Sequence, residues 1–229
     1  GYPFIEEAIS DFLGENRKII GRLSGDIPRV GELNPDNIAN ALGFDIVLNG
    51  DLPKVVLGRP PQLCVGCGHN DLFDAINVLK KETENQQVFG DIGCSALGVL
   101  SPYKSINTLI EMGASITMAK GASDAGIHPA IAVIGDSTFT HSGMTGLLDA
   151  IIENTPITVI ISDNSAIAMT GAQDSAASGR LISICKGLGL AEAHLKVITP
   201  LHKNLQENIV IIREEINHTG VSVIIAQRP

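Results

Sequence analysis

Two short stretches carry residues suited to holding a metal ion against phosphate. They are Ile134-Gly-Asp-Ser-Thr-Phe-Thr-His-Ser-Gly143 and Asp163-Asn-Ser-Ala166, with Asn164 following Asp136 by 28 positions. Mg²⁺ takes hard oxygen ligands in an octahedron and usually shares them with phosphates. Asp136 offers one charged oxygen. Asn164 offers a neutral amide oxygen, which adds no negative charge beside a diphosphate. The loop after Asn164 can add a backbone carbonyl, that of Ala166. Ser137 and Thr138 present hydroxyls and backbone N–H groups to phosphate oxygens, and a following helix points its positive end at them.

These residues need elements that bring them together. Ala130 to Ile134 is an apolar run between Pro129 and Gly135 and reads as a buried strand. Ser142 to Ile152 predicts a helix, with Met144, Leu147, Leu148, Ile151 and Ile152 at helical spacing. Pro156 to Ile161 reads as a second buried strand. A strand–helix–strand unit of this length is a right-handed crossover. Both strands then end at one edge of the sheet, where ligands of parallel sheets bind. A Gly-Asp-Ser turn alone occurs in many α/β proteins that bind nothing there. The second half, Asp163-Asn164 with its continuation Ala168-Met-Thr-Gly-Ala-Gln173, makes the pairing point to thiamine diphosphate.

The rest of the chain alternates in the same way. Asn70 or Asp71 caps a helix through Lys81, and Val88-Phe89 is a short strand ending in Gly90-Asp91. Ser115 to Ala125 is a helix of small residues suited to close packing on the cofactor side. Ser178 to Gly187 reads as a helix, Lys196 to Ile198 as a strand, Leu201 to Asn217 as a long helix and Val221 to Ala226 as the last strand. The expected class is α/β, a mainly parallel sheet with helices on both faces. Residues 1–50 read as a connecting segment, with an amphipathic patch at Ile5 to Leu13 and a helix at Ile38 to Leu42 opened by Asn34-Pro35-Asp36-Asn37. Residues 51–229 form the diphosphate-binding domain.

Composition bounds the partners. A chain of 229 residues buries one sizeable core, and its net charge of −9 argues against nucleic acid or an anionic membrane. No apolar run approaches bilayer length and no signal segment opens the chain, so a cytoplasmic location is expected. An anionic cofactor must be held by local N–H groups and Mg²⁺ against the overall field.

Several motifs in order resemble the diphosphate-binding domain of thiamine-dependent 2-oxoacid:ferredoxin oxidoreductases, above all the large subunit of the indolepyruvate branch. They are Arg59-Pro-Pro-Gln-Leu-Cys-Val-Gly-Cys-Gly-His69, Gly90-Asp-Ile-Gly-Cys-Ser-Ala-Leu-Gly98, Met112-Gly-Ala-Ser-Ile116 and the two metal-loop stretches. Upstream, Gly1-Tyr-Pro-Phe-Ile-Glu-Glu7 and Pro28-Arg-Val-Gly-Glu-Leu-Asn-Pro-Asp36 resemble the segment preceding that domain. The resemblance runs nearly end to end. With Gly1-Tyr2-Pro3 at one end and Gln227-Arg228-Pro229 at the other, the chain reads as a piece of a larger subunit.

The resemblance implies roles. Gly66, Cys67, Gly68, Gly93, Cys94 and Ser95 surround the cofactor, as do Gly113, Ser115, Gly135, Ser137, Thr138, Met169 and Thr170. Asp136, Asn164 and Ala166 are the metal ligands. Ile116 is either the apolar wedge that bends thiamine or an ordinary buried isoleucine. His69 and His141 are the catalytic candidates: His69 faces cofactor or substrate carboxylate, and His141 either faces the substrate or merely opens a helix. The other four histidines (His128, His194, His202 and His218) receive no role.

Of the four cysteines, Cys64 and Cys67 have metal-ligand spacing and Cys185 lies in an apolar helix that reads as core. Related oxidoreductases hold a [4Fe–4S] cluster with four thiolates, three of which correspond to Cys64, Cys67 and Cys94. The region of the fourth, Ile198-Thr-Pro-Leu-His-Lys203, has no cysteine here. Either the three thiols serve a cluster, or Gly66, Gly68 and Gly93 shape loops around the cofactor with the thiols packed nearby. The second option agrees with the indolepyruvate branch, whose clusters lie in a further extension.

The implied activity is oxidative decarboxylation of a 2-oxoacid, indolepyruvate or another aryl pyruvate. Electrons pass through iron–sulfur clusters to ferredoxin and the acyl group to coenzyme A. The implied partners are a pyrimidine-binding domain that supplies a Glu, a second oxidoreductase subunit and ferredoxin, in an oligomer. Alone, this chain is then expected to bind cofactor weakly and not turn over. The rivals are a non-oxidative thiamine-dependent decarboxylase, which needs no Cys-rich loops, and a non-catalytic thiamine diphosphate-binding module.

Overall fold

Four apolar runs become the strands that organise the molecule: β1 (Gln87–Gly90), β2 (Ala130–Gly135), β3 (Ile157–Asp163) and β7 (Ser222–Gln227). With β6 (Leu195–Ile198) they form one five-stranded sheet in the order β1-β2-β3-β7-β6, every pair parallel. A two-residue pair, β4 (Ala166–Ile167) and β5 (Gln173–Asp174), makes a small antiparallel hairpin that the sequence reading did not foresee. This computed structural model describes residues 3–14, 17–45, 61–83 and 85–228. The expected boundary between residues 50 and 51 lies outside the described residues.

The chain divides into two compact units, residues 1–59 and 60–229. In the first, α1 (Phe4–Leu13) and α2 (Pro35–Ala41) are short helices that bury no residue. Glu6 replaces a core contact with hydrogen bonds: its carboxylate accepts the backbone N–H groups of Arg22, Leu23 and Ser24. At α2, the Asn34 side chain accepts the Asn37 N–H at 2.9 Å and Pro35 takes the first helical position, as the sequence indicates.

In the second unit the central strands are buried on both faces, which explains their unbroken apolar character. Alternate residues serve opposite layers. Ala130, Ala132, Ile134, Val159 and Ile161 face one core with α4 (Ala114–Asp124), α6 (Met144–Glu153) and α7 (Leu181–Gly187). Ile131, Val133, Ile160 and Ile224 face the other with α3 (Gly68–Glu82) and α8 (Leu205–Ile216). Lys120 of α4 meets Asp124, Asp149 and Glu153 and ties α4 to α6. No described helix is long and apolar enough to cross a membrane.

Several element boundaries correct the sequence reading. The helix expected from Ser142 begins at Asp136: α5 (Asp136–Thr138) runs through a π-turn, Phe139–Gly143, into α6. Helix α3 starts at Gly68, with neither Asn70 nor Asp71 as its cap. Helix α7 starts at Leu181 after a turn, and α8 at Leu205 after the 3₁₀ turn His202–Asn204.

Candidate functional site

Strands β1, β2 and β3 end side by side, and the segments beyond them wall a cavity of about 150 Å³. Gly135 ends β2, and Asp136 follows as the first residue of α5. Asp136 is 3% exposed and its Oδ2 has no hydrogen-bond partner. Burial raises its pKa, the Ser175 hydroxyl and Ser137 backbone oppose that rise, and the neighbouring Asp163 carboxylate adds to it. A buried carboxylate oxygen without a donor is costly, and a cation relieves that cost.

Strand β3 delivers the second half. The Asp163 carboxylate accepts the Ser165 N–H on one oxygen and the Gln227 amide on the other, each at 2.9 Å. Ser165 adopts φ +59°, a left-handed conformation uncommon for serine and held here by its neighbours. Asn164 Oδ1 accepts the Ala166 N–H at 3.3 Å, and both residues line the cavity. Beyond them β4, β5 and a 3₁₀ turn, Ala168–Thr170, bring Met169 and Thr170 to the rim. The Thr170 hydroxyl is engaged with Gln173 Oε1 at 2.8 Å.

The third wall follows β1. Asp91 is fully buried and has four donors on its carboxylate: the Ile92, Gly113 and Ser115 N–H groups and the Ser115 hydroxyl. It thereby anchors the start of α4 and the loop Ile92–Ser95, which lines the cavity. Gly113 is required there, since its φ is +91° and a Cβ would collide with Ser142 Oγ.

His69, in the first turn of α3, lines the remaining side. It is 4% exposed, its Nε2 lacks a partner, and burial lowers its pKa to about 4. Burial also raises the thiol pKa values of Cys67 and Cys94. Cys185 is fully buried in the core and its pKa rises to about 11. Among the described residues, no group of three His, Cys, Asp or Glu side chains is arranged to hold a metal ion.

Of the residues singled out from sequence, the cavity brings together His69, Gly93, Cys94, Ser95, Gly135, Asp136, Ser137, Thr138, Asn164, Ala166, Met169 and Thr170. The others lie elsewhere. His141 is exposed on the π-turn, because the helix around it starts earlier than expected. Ile116 is fully buried in the core between sheet and helices. Ser115 and Gly113 act through Asp91 and do not line the cavity. Gly66, Cys67 and Gly68 form the turn behind His69. Ile92, Met112, Ser162, Ile167 and Ala168, which residue type alone does not mark, also line the cavity. Ile92, Met112 and Ala168 sit within the quoted motifs, yet nothing in their spacing marks them as wall residues.

The chain is 29% identical to the indolepyruvate oxidoreductase subunit IorA of Archaeoglobus fulgidus, over all of the chain and 43% of that protein. It is 30% identical to the subunit of the same name from Pyrococcus horikoshii, over 99% of the chain and 40% of that protein. The chain thus spans less than half the length of these relatives. Among solved structures, the 2-oxoglutarate:ferredoxin oxidoreductase of Magnetococcus marinus shares the fold, with a TM-score of 0.58 at 16% identity, over 73% of this chain and 64% of that one. Residues 91–226, which hold Asp136, Asn164 and the loops around them, match the family described as thiamine pyrophosphate enzyme, C-terminal TPP binding domain. The chain belongs to that family.

Proposed function

We propose that this chain is the diphosphate-binding part of a thiamine-dependent 2-oxoacid:ferredoxin oxidoreductase subunit that acts on indolepyruvate or another aryl pyruvate. The observation that carries the binding site is the unpartnered, buried Oδ2 of Asp136, in a cavity it shares with Asn164 and Ala166. That donor set would suit Mg²⁺, which takes hard oxygen ligands: one carboxylate, one amide oxygen and one main-chain carbonyl. The substrate class rests on the relatives' names.

Thiamine diphosphate, when bound, supplies the carbanion chemistry that decarboxylates a 2-oxoacid. The residues of this chain do the rest of the local work. Asp136, Asn164 and the Ala166 carbonyl would hold the metal. Ser137 and Thr138, in the first turn of α5, offer N–H groups and hydroxyls to phosphate, with the helix start adding positive potential. The apolar side chains of Ile92, Met112, Ile167 and Met169 exclude water from the cavity. His69 presents a neutral imidazole to the ligand.

Iron–sulfur clusters in the remainder of the subunit would carry electrons to ferredoxin, and coenzyme A would accept the acyl group. A pyrimidine-binding domain and a second subunit would complete the site in an oligomer in the cytoplasm. Residues 1–50 would connect this domain, 51–229, to the rest.

Calorimetric titration with thiamine diphosphate tests the reading, in Mg²⁺ and then in EDTA, for the native chain and Asp136→Ala. Mg²⁺-dependent binding that the substitution abolishes is the expected result. If the isolated chain does not bind, the same titration of the full-length subunit decides. No Mg²⁺-dependent binding there would overturn the proposal.

A further inference from the structure

We propose that Gln227 and Arg228, where β7 ends, are positioning residues that couple the Asp163–Ala166 turn to the Cys64–His69 turn. The inference rests on the diphosphate-binding reading above and adds to it a mechanical link between the two sides of the cavity.

Two consecutive residues grip Asp163. The Gln227 side-chain amide donates to Asp163 Oδ2 at 2.9 Å, and the Arg228 backbone N–H donates to the Asp163 carbonyl at 2.9 Å. The other carboxylate oxygen of Asp163 holds the Ser165 N–H and so keeps the left-handed turn that presents Asn164. Without the Gln227 amide, a buried carboxylate oxygen loses its donor and the turn loses a restraint.

The Arg228 side chain reaches the opposite side. Its Nη1 donates to Asp71 Oδ2 at 2.9 Å and to the Pro200 carbonyl at 3.2 Å. The pair is largely enclosed, with side chains 27% and 17% exposed. A Cβ on Gly68 would stand 3.3 Å from both Cβ and Cδ of Arg228, so the arginine stem lies directly against the start of α3. Asp71 is two residues beyond His69 in that helix. One peptide link of β7 therefore joins the metal-ligand turn to the helix start that carries His69.

Cys67 and Cys94 make convenient reporters, because Cys94 lines the cavity and Cys67 does not. The test is residue-resolved alkylation of both thiols in the full-length subunit, with and without Mg²⁺ and thiamine diphosphate. In the native protein the ligand should slow alkylation at both positions. In Arg228→Met, Cys94 should stay protected while Cys67 reacts at its ligand-free rate, and Arg228→Lys should restore part of the Cys67 protection. Gln227→Leu should weaken Mg²⁺-dependent binding by roughly 10- to 100-fold, the usual effect of losing an outer-shell partner. Should that variant not fold, Gln227→Asn, whose stem is shorter by one methylene, takes its place with the same criterion. Full Cys67 protection in Arg228→Met, unchanged affinity in the folded Gln227 variant, or protection of Cys94 alone in the native protein would overturn the coupling. Protection of neither thiol in the native protein, together with no binding, would instead overturn the diphosphate reading itself.

Discussion

Cys67 Sγ lies 3.3 Å from His69 Nδ1. Burial raises the thiol pKa and lowers that of the imidazole to about 4, so both groups are neutral near pH 7. Two neutral groups can share this bond in two ways: with the S–H as donor to Nδ1, the ring proton sits on Nε2, the atom without a partner. In that tautomer His69 offers a neutral N–H donor, and the following substitutions test it. Its replacement by leucine should lower kcat/KM of the assembled enzyme by roughly 100-fold, as loss of one preorganised donor does elsewhere. His69→Gln, which places an N–H near the same point, should recover part of the loss. Native activity in His69→Leu would reduce the histidine to a packing residue.

The same shift makes a stability prediction. A histidine whose folded pKa lies near 4, below its ordinary 6.5, stays neutral while the unfolded chain takes up a proton. Its contribution is constant above about pH 6.5 and is lost as pH falls toward 4, to a total of about 3 kcal/mol. Denaturant unfolding of native protein and His69→Gln at pH 7.5 and 4.5 should show the native protein losing more stability between the two. Equal losses would contradict the assignment.

Asp136 carries the opposite sign. Its folded pKa is raised, so in the metal-free protein its ionised form costs stability at neutral pH, and that cost disappears as pH falls through the folded pKa. Asp136→Asn should therefore leave the metal-free chain equally or more stable at pH 8, by up to about 1 to 2 kcal/mol, while abolishing Mg²⁺-dependent binding. Native affinity for Mg²⁺ with thiamine diphosphate should weaken on acidification, because protons compete for the carboxylate. Thermal unfolding and calorimetry at pH 5 and pH 8 check both statements.

Gly113→Ala probes the third wall. Alanine must adopt φ +91° and collide with Ser142 Oγ, in the same turn whose N–H binds Asp91 at 2.6 Å. A loss of about 1 to 3 kcal/mol is expected from the conformation alone. Adding Ser142→Gly should recover the steric part and leave the conformational part. Because Asp91 also anchors Ile92–Ser95, diphosphate affinity should fall with stability in Gly113→Ala.

The strands of the five-stranded sheet and their parallel direction were legible because Ile131, Val133, Val159, Ile160 and Ile224 lie in unbroken apolar runs that only a doubly covered sheet explains, whereas the two-residue strands β4 and β5 were too short to leave such a run. The meeting of Asp136 and Asn164 in one cavity was legible too, since strand ends place them at a common edge. The start of the helix at Asp136 was not. Its first turn, Asp-Ser-Thr, has weak helix formers, and the π-turn at Phe139–Gly143 inserts a residue that breaks the 3.6-residue pattern. Met112 was invisible for another reason: it reaches the cavity because Asp91, far earlier in sequence, fixes the turn that follows it.

Three buried aspartates stand at this end of the sheet, and they are not equivalent. Asp91 and Asp163 have both oxygens engaged by donors, whereas Asp136 keeps one oxygen open. A divalent ion arriving by itself therefore finds a single available formal charge, too little to repay the loss of its hydration shell. On the proposed reading the pocket would be a poor store for free cations. Metal and diphosphate gain most by arriving as one preassembled, nearly neutral package, so occupancy should track the supply of cofactor more closely than the supply of metal.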